Sequence, residues 1–177
     1  MWIGILLEVG LFALLLGVDL FSKAIIMPFL QGQPGSHYEL IEDILGLQYA
    51  ENYGASFGVF TGNKVFLIVL TSIATIVMIA MLVYFNDKPR LLRFGLVTII
   101  AGAIGNLVDR IALGYVRDFI DYEFLSTWFN IDFAIGNIAD IFCLVGVLMI
   151  IVYVFFEYKE GDLQSRFKRF QKCGKTA

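Results

Sequence analysis

The sequence predicts an all-α membrane protein: four transmembrane helices with a small extracytoplasmic β-containing loop region. Three observations carry that prediction. Of 177 residues, 59% are apolar and only 16% are charged, which is not the balance of an ordinary soluble domain. Four apolar runs each reach the roughly 20 residues that a helical crossing of a bilayer needs. Between the runs lie turn-rich or charged connections, with no internal repeat and no low-complexity segment.

The first run, Trp2–Leu30, lacks a basic leading region and a small-residue cleavage signal, so it reads as a retained helix. Glu8, Asp19 and Lys23 interrupt it, and the i, i+4 spacing of Asp19 and Lys23 allows them to pair. Gln31–Thr61 is mixed and rich in glycine, with Gly46–Ala50 as the candidate strand. The second run is about Lys64–Phe85, followed by the basic loop Asn86–Arg93. The third is about Phe94–Leu113, the next connection is Gly114–Asn137, and the fourth run is about Ile138–Glu157. The membrane domain therefore covers 1–157, with loops at about 31–63 and 114–137. Residues 158–177 form a basic tail suited to anionic lipid.

Lysine and arginine set the orientation. Lys88, Arg90 and Arg93 lie between runs two and three, and Lys159, Arg166, Lys168, Arg169, Lys172 and Lys175 follow run four. Both termini are thus expected in the cytoplasm. The long loops, with the helix ends that carry Asp19, Lys23, Asn52, Asn106–Asp118, Asn137 and Asp140, are expected at the extracytoplasmic face.

Several function classes fall away. Basic residues do not alternate with aromatics as a nucleic-acid surface requires. The single histidine, His37, has no second His or nearby Cys to complete a zinc site, which also argues against a histidine-based metalloprotease or a Ser-His triad. Cys143 and Cys173 show no disulfide pattern. No cofactor and no metal are expected.

The chemistry concentrates in Gly102–Asp121 and at the start of the fourth run. Asn106, Asp109 and Arg110 share a helix face by their i, i+3, i+4 spacing, with Arg110 expected to be held by Asp109 and Asn106. Gly114 ends that helix so that Tyr115–Ile120 leaves extended. Ionisable groups at membrane depth are costly and mark sites, although an interhelical ion pair is the bland reading of an Asp with an Arg. Asp118 and Asp140 come from different segments at one membrane boundary. Two carboxyls held close share one proton, so one acts as acid and the other as base. Asp140 has a look-alike in Asp132 and a plainer role as a helix cap. It is preferred because the long apolar run begins directly after it. A Ser–Lys dyad of Lys23 with Ser22 or Ser56 is the rival nucleophile, while Lys23 also suits neutralising Asp19 or snorkelling to headgroups. Asn52 stands in a loop of small residues that a substrate backbone can approach.

These segments resemble the bacterial lipoprotein signal peptidases, the aspartyl enzymes of the signal peptidase II type. Asp19-Leu20-Phe21-Ser22-Lys23 is similar to D-Q-x-[ST]-K, with Leu20 in place of Gln. Asn52–Gly58 resembles N-x-G-A-[AS]-F-G, Gly105–Arg110 resembles G-N-x-x-D-R, and Gly114–Ile120 resembles G-x-V-x-D-F-[IL]. Asn137-Ile138-Ala139-Asp140 matches the end of F-N-x-A-D, with Gly136 where the family has Phe. The resemblance implies catalytic Asp118 and Asp140, with supporting roles for Asp19, Lys23, Asn52, Gly54, Asn106, Asp109, Arg110 and Asn137. It implies a bacterial cytoplasmic-membrane endopeptidase that cuts a prolipoprotein before its diacylglyceryl-modified cysteine, with globomycin as inhibitor. The chain lacks an N-terminal cysteine in a cleavage box and so reads as the processor, not the substrate. The competing expectations are a small ion or proton transporter lined by Asp19, Asp109, Arg110 and Asp140, and a purely structural subunit.

Overall fold

The computed structural model describes residues 2–54, 63–87, 89–131 and 133–157. Ser56 and the rest of the small-residue loop after Gly54, Lys88, Asp132, and the 158–177 tail with Cys173 lie outside the described residues. In chain order the elements are α1 (Trp2–Gln31), β1 (His37–Ile41), β2 (Leu45–Asn52), α2 (Lys64–Tyr84), α3 (Arg90–Ala112), β3 (Val116–Asp121), α4 (Glu123–Phe129) and α5 (Ile138–Val152). The last continues as a π-helical turn, Tyr153–Glu157.

Four of the helical stretches, Ile3–Gln31, Lys64–Tyr84, Arg90–Ala112 and Ile138–Phe156, are long and apolar enough to cross a bilayer. The protein is a multi-pass membrane protein. Helix α3 is its axis: it packs against α1, α2 and α5, and most of its span is buried, while the other three spans mostly face outward. The sequence of α3 explains this. Lipid provides no hydrophobic drive between helices, so close packing depends on small residues. A Cβ on Gly102 would collide with the carbonyl oxygen of Ala139 and lie 2.8 Å from Cys143 Sγ, so α3 and α5 meet backbone to backbone.

Helix starts and stops follow local chemistry. The Asn63 side chain accepts the Phe66 amide at 3.1 Å and caps α2. Helix α3 ends with Leu113 as C-cap, and Gly114 at φ +94 turns the chain back as only glycine does without strain. Helix α3 begins at Arg90, four residues before the expected Phe94. Arg93 is therefore a helical residue, and its guanidinium holds both oxygens of Glu8 on α1, at 2.5 and 2.6 Å, and the Leu82 and Phe85 carbonyls at the end of α2.

The loops hold more structure than the sequence suggested. Strands β1, β2 and β3 form an antiparallel sheet in that order, with Glu39 opposite Gly46 and Gly46 opposite Asp121. The expected strand Gly46–Ala50 lies inside β2. Strand β1 and helix α4 were not foreseen, because β1 is largely exposed without apolar alternation and α4 is two turns long. Phe119 of β3 is buried with Met27 and Leu30 near the end of α1, which seats the sheet on one end of the bundle.

Candidate active site

The route of the chain after α3 builds the site. Strand β3 returns from the Gly114 turn and pairs with β2, Ala50 opposite Asp118 and Asn52 opposite Val116. Gly136 then docks on β3: its carbonyl accepts from the Phe119 and Ile120 amides at 2.8 and 2.7 Å, and its amide donates to Ile120 O at 3.0 Å. That docking delivers Asn137, and with it the start of α5, directly beside Asp118.

Asn137 serves two purposes. As the N-cap of α5 its Oδ1 accepts the Asp140 amide at 3.1 Å, and the Asp140 carboxylate accepts the Asn137 amide at 3.1 Å, a reciprocal capping box. Its Nδ2 donates to Asp118 Oδ1 at 2.5 Å and to Asn106 Oδ1 at 3.1 Å. Asn106 donates in turn to Asp140 Oδ1 at 2.8 Å, and Asn52 donates to Asp118 Oδ2 at 2.9 Å. The N-cap considered for Asp140 is thus Asn137; Asp140 is the third helical residue, and its part in the box occupies one oxygen only.

Beneath this layer lies a buried ionic layer. Lys23 and Asp19 have no exposed surface, so Lys23 does not snorkel. Its ammonium donates to Asp19 at 2.9 Å and Asn106 at 2.9 Å and lies 3.4 Å from Asp109. Such a charge is tolerable only with this many partners. Asp19 also accepts the Ala139 amide at 3.1 Å, tying α1 to the first turn of α5. Ser22 donates to the Asp19 carbonyl, away from Lys23 Nζ.

One expected pairing is corrected. Arg110 is not held by Asp109 and Asn106. Asp109 binds Arg117, through Nη2 at 2.7 Å and the backbone amide at 3.1 Å, because β3 folds back over the end of α3. Arg110 instead reaches the carbonyl of Gly54 at 3.3 Å, and its buried Nε has no hydrogen-bond partner among the described residues. Gly54 is placed by its amide donating to Asn52 Oδ1 at 3.0 Å, so Asn52 links the glycine to Asp118. Asp19, Lys23, Asn52, Gly54, Asn106, Asp109, Arg110, Asp118, Asn137 and Asp140 therefore belong to one network.

Asp118 and Asp140 both line a cavity of about 410 Å³ together with Asn52, Asn106 and Arg110. The Asp118 carboxyl is pushed up to about 6, chiefly by burial. The Asp140 charge adds to that rise, while the bonds from Asn52 and Asn137 oppose it. The tyrosine hydroxyl of Tyr122, on the same wall, is also raised, by burial first and by Asp140 second. The apolar walls, among them Leu125, Phe133 and Leu144, come from the connection and from α5. Sequence reading missed them because nothing in their spacing separates a cavity wall from a lipid-facing side chain.

The geometry has counterparts. The family model for signal peptidase II (SPase II) matches residues 11–156. The lipoprotein signal peptidase of Clostridium tetani is 36% identical over 132 residues, covering 75% of this chain and 81% of that protein. That of Clostridioides difficile is 34% identical over 157 residues, covering 87% of this chain and 99% of the other. A bacterial membrane enzyme solved by the in meso method is similar in fold, with a TM-score of 0.68 at 30% identity over 86% of this chain and 93% of that one. With a match that runs from α1 through α5, the chain belongs to the signal peptidase II family.

Proposed function

We propose that this protein is an aspartic endopeptidase that removes signal peptides from prolipoproteins, cutting immediately before the diacylglyceryl-modified cysteine. Family membership supports the reaction. The observation that carries the site assignment is that Asp118 and Asp140, from separate segments, line one cavity and are joined through Asn137 and Asn106. A transporter reading has no comparable support: the buried acids Asp19, Asp109 and Asp118 gather at the sheet end, and Glu8 is neutralised by Arg93.

In the proposed mechanism Asp118 starts protonated, because its burial favours the neutral form. Asp140 takes a proton from water as the water oxygen attacks the scissile carbonyl carbon. Asp118 gives its proton to the carbonyl oxygen. When the tetrahedral intermediate collapses, Asp118 regains the proton from that hydroxyl and Asp140 passes its own to the departing amine. The dyad ends as it began. Asn52 and Asn137 orient Asp118, Asn106 and the capping box orient Asp140, and Arg110 offers its Nε to the bound peptide. Lys23, Asp19 and Asp109 hold Asn106 and the start of α5 in place, while Gly54 fixes Arg110.

The exposed stripe Ile141, Leu144, Val145 and Leu148 on α5 runs from the cavity along the span, where the acyl chains of the substrate would lie among membrane lipids. The distribution of Lys and Arg supports cytoplasmic termini, a basic cytoplasmic tail at 158–177 and a cleft at the extracytoplasmic face of the bacterial cytoplasmic membrane. Globomycin, a cyclic lipopeptide, is expected to compete for the same cleft.

The test is cleavage of a diacylglyceryl-modified prolipoprotein in detergent by the wild type, Asp118→Asn and Asp140→Asn. Each variant should lose about 10²–10⁴-fold, the usual scale of general acid–base catalysis. Wild-type cleavage should be blocked by globomycin and unaffected by chelator. Near-normal cleavage by either correctly folded variant would sink the dyad.

A further inference from the structure

A second cluster of chemistry-bearing side chains lies outside the cleft. His37 on β1, Asp121 at the end of β3 and Glu123 at the start of α4 bring one ligand atom each to within 4.8 Å of one another. His37 Nε2 and Glu123 Oε1 are already 2.8 Å apart, although 86 residues separate them in sequence. None of the three lines the cavity that holds Asp118 and Asp140.

The sheet leaves room for this meeting at a glycine. Gly46 on the central strand stands opposite both Glu39 and Asp121. A Cβ there would collide with Glu123 Oε1 and come within 2.7 Å of His37 Nε2. The missing side chain is what lets residues from an edge strand and from α4 converge over the middle strand.

We propose that His37, Asp121 and Glu123 bind a divalent transition-metal cation, with zinc the best-fitting ion. One imidazole and two carboxylates form a three-ligand set of the kind zinc takes when solvent completes its coordination. The imidazole selects against magnesium and calcium, which prefer all-oxygen sites. Two carboxylates with one neutral imidazole leave net negative charge, which a dication neutralises. The cluster is half-buried, with His37 37% exposed and Glu123 17%, so an ion reaches it from solvent. Sequence reading set zinc aside because it looked for a second His or a Cys, whereas here the sheet supplies carboxylates.

The consequence is a clip across three segments. Asp121 and Glu123 flank Tyr122, which lines the catalytic cavity, so an ion held by both fixes that wall and the start of α4 against β1. The ion has no part in bond cleavage, and its binding is independent of the dyad.

The test uses the untagged full chain in detergent, with Cys143→Ser and Cys173→Ser to remove thiols, titrated with Zn²⁺ at neutral pH. One site is expected by calorimetry, with a rise in melting temperature on binding. His37→Gln and Glu123→Gln should each weaken binding at least about tenfold, while melting without metal stays near wild type. His37 is the only histidine, so its ring nitrogen resonances report occupancy in the unaltered site and should shift on saturation. Unmoved His37 resonances at saturating Zn²⁺, or wild-type affinity in His37→Gln, would overturn the site and leave an ordinary hydrogen-bonded pair. Cleavage should persist in chelator, which keeps this result separate from the proposed catalysis.

Discussion

Asn137 reaches Asp118 with its side-chain amide at 2.5 Å while its side-chain oxygen caps α5, so one residue sets both the helix that carries Asp140 and the state of the other carboxyl. The two jobs can be separated by substitution. Serine caps a helix about as well as asparagine but has no amide to extend toward Asp118. Asn137→Ser should therefore cleave at least about tenfold more slowly, the worth of roughly 1.4 kcal/mol of hydrogen bonding. Asn137→Ala should lose activity similarly and melt lower by about a further 1 kcal/mol from the missing cap. Equal stability in the two variants would mean that the cap is not formed.

The pH dependence follows from Asp118. Its carboxyl is raised from 3.8 to about 6 in the folded protein, so folding favours the protonated form. That contribution to stability is full below about pH 3.8 and is lost as pH rises through about 6. Wild-type melting should therefore fall between pH 4.5 and 7.5 relative to Asp118→Asn, which has no such group to ionise. If Asp118 is the acid, kcat/KM for the free enzyme should decline above about pH 6. A limb that rises through the same pH would exchange the roles of the two aspartates.

Lys23 is fully buried against Asp19, Asp109 and Asn106. Removing the ammonium leaves the buried Asp19 carboxylate without its cation, while Asp109 keeps Arg117. Lys23→Met should destabilise the protein by about 3–5 kcal/mol in equilibrium unfolding in detergent. A stable but inactive Lys23→Met would instead revive Lys23 as a catalytic base.

Glu8 and Arg93 form an ion pair at the other end of the bundle. Arg93→Leu should destabilise by about 3–5 kcal/mol because Glu8 is left alone, and Glu8→Leu/Arg93→Leu should recover most of that loss. Cleavage at low temperature should stay near wild type in the double variant. An unrecovered melting temperature would show that Arg93 matters mainly through the Leu82 and Phe85 carbonyls.

Much of this protein is written locally in the chain. Apolar runs of bilayer length specify four spanning helices, because an apolar stretch of that length satisfies its backbone only as a helix in lipid. The i, i+4 spacing of Asp19 and Lys23 specifies their pair, and Gly114 specifies the turn that sends Asp118 back toward the bundle. What the sequence could not decide was choice among non-local partners. Asp109 had two arginines within reach, and only the return of β3 gave it Arg117 and left Arg110 to Gly54. Asn137 became a donor to Asp118 only because Gly136 docks on β3. His37 met Glu123 only because the three strands close over Gly46. Helical periodicity is a property of neighbouring residues. Which buried charge pairs with which is set by the packing of distant segments in a medium too poor in water to leave any of them alone.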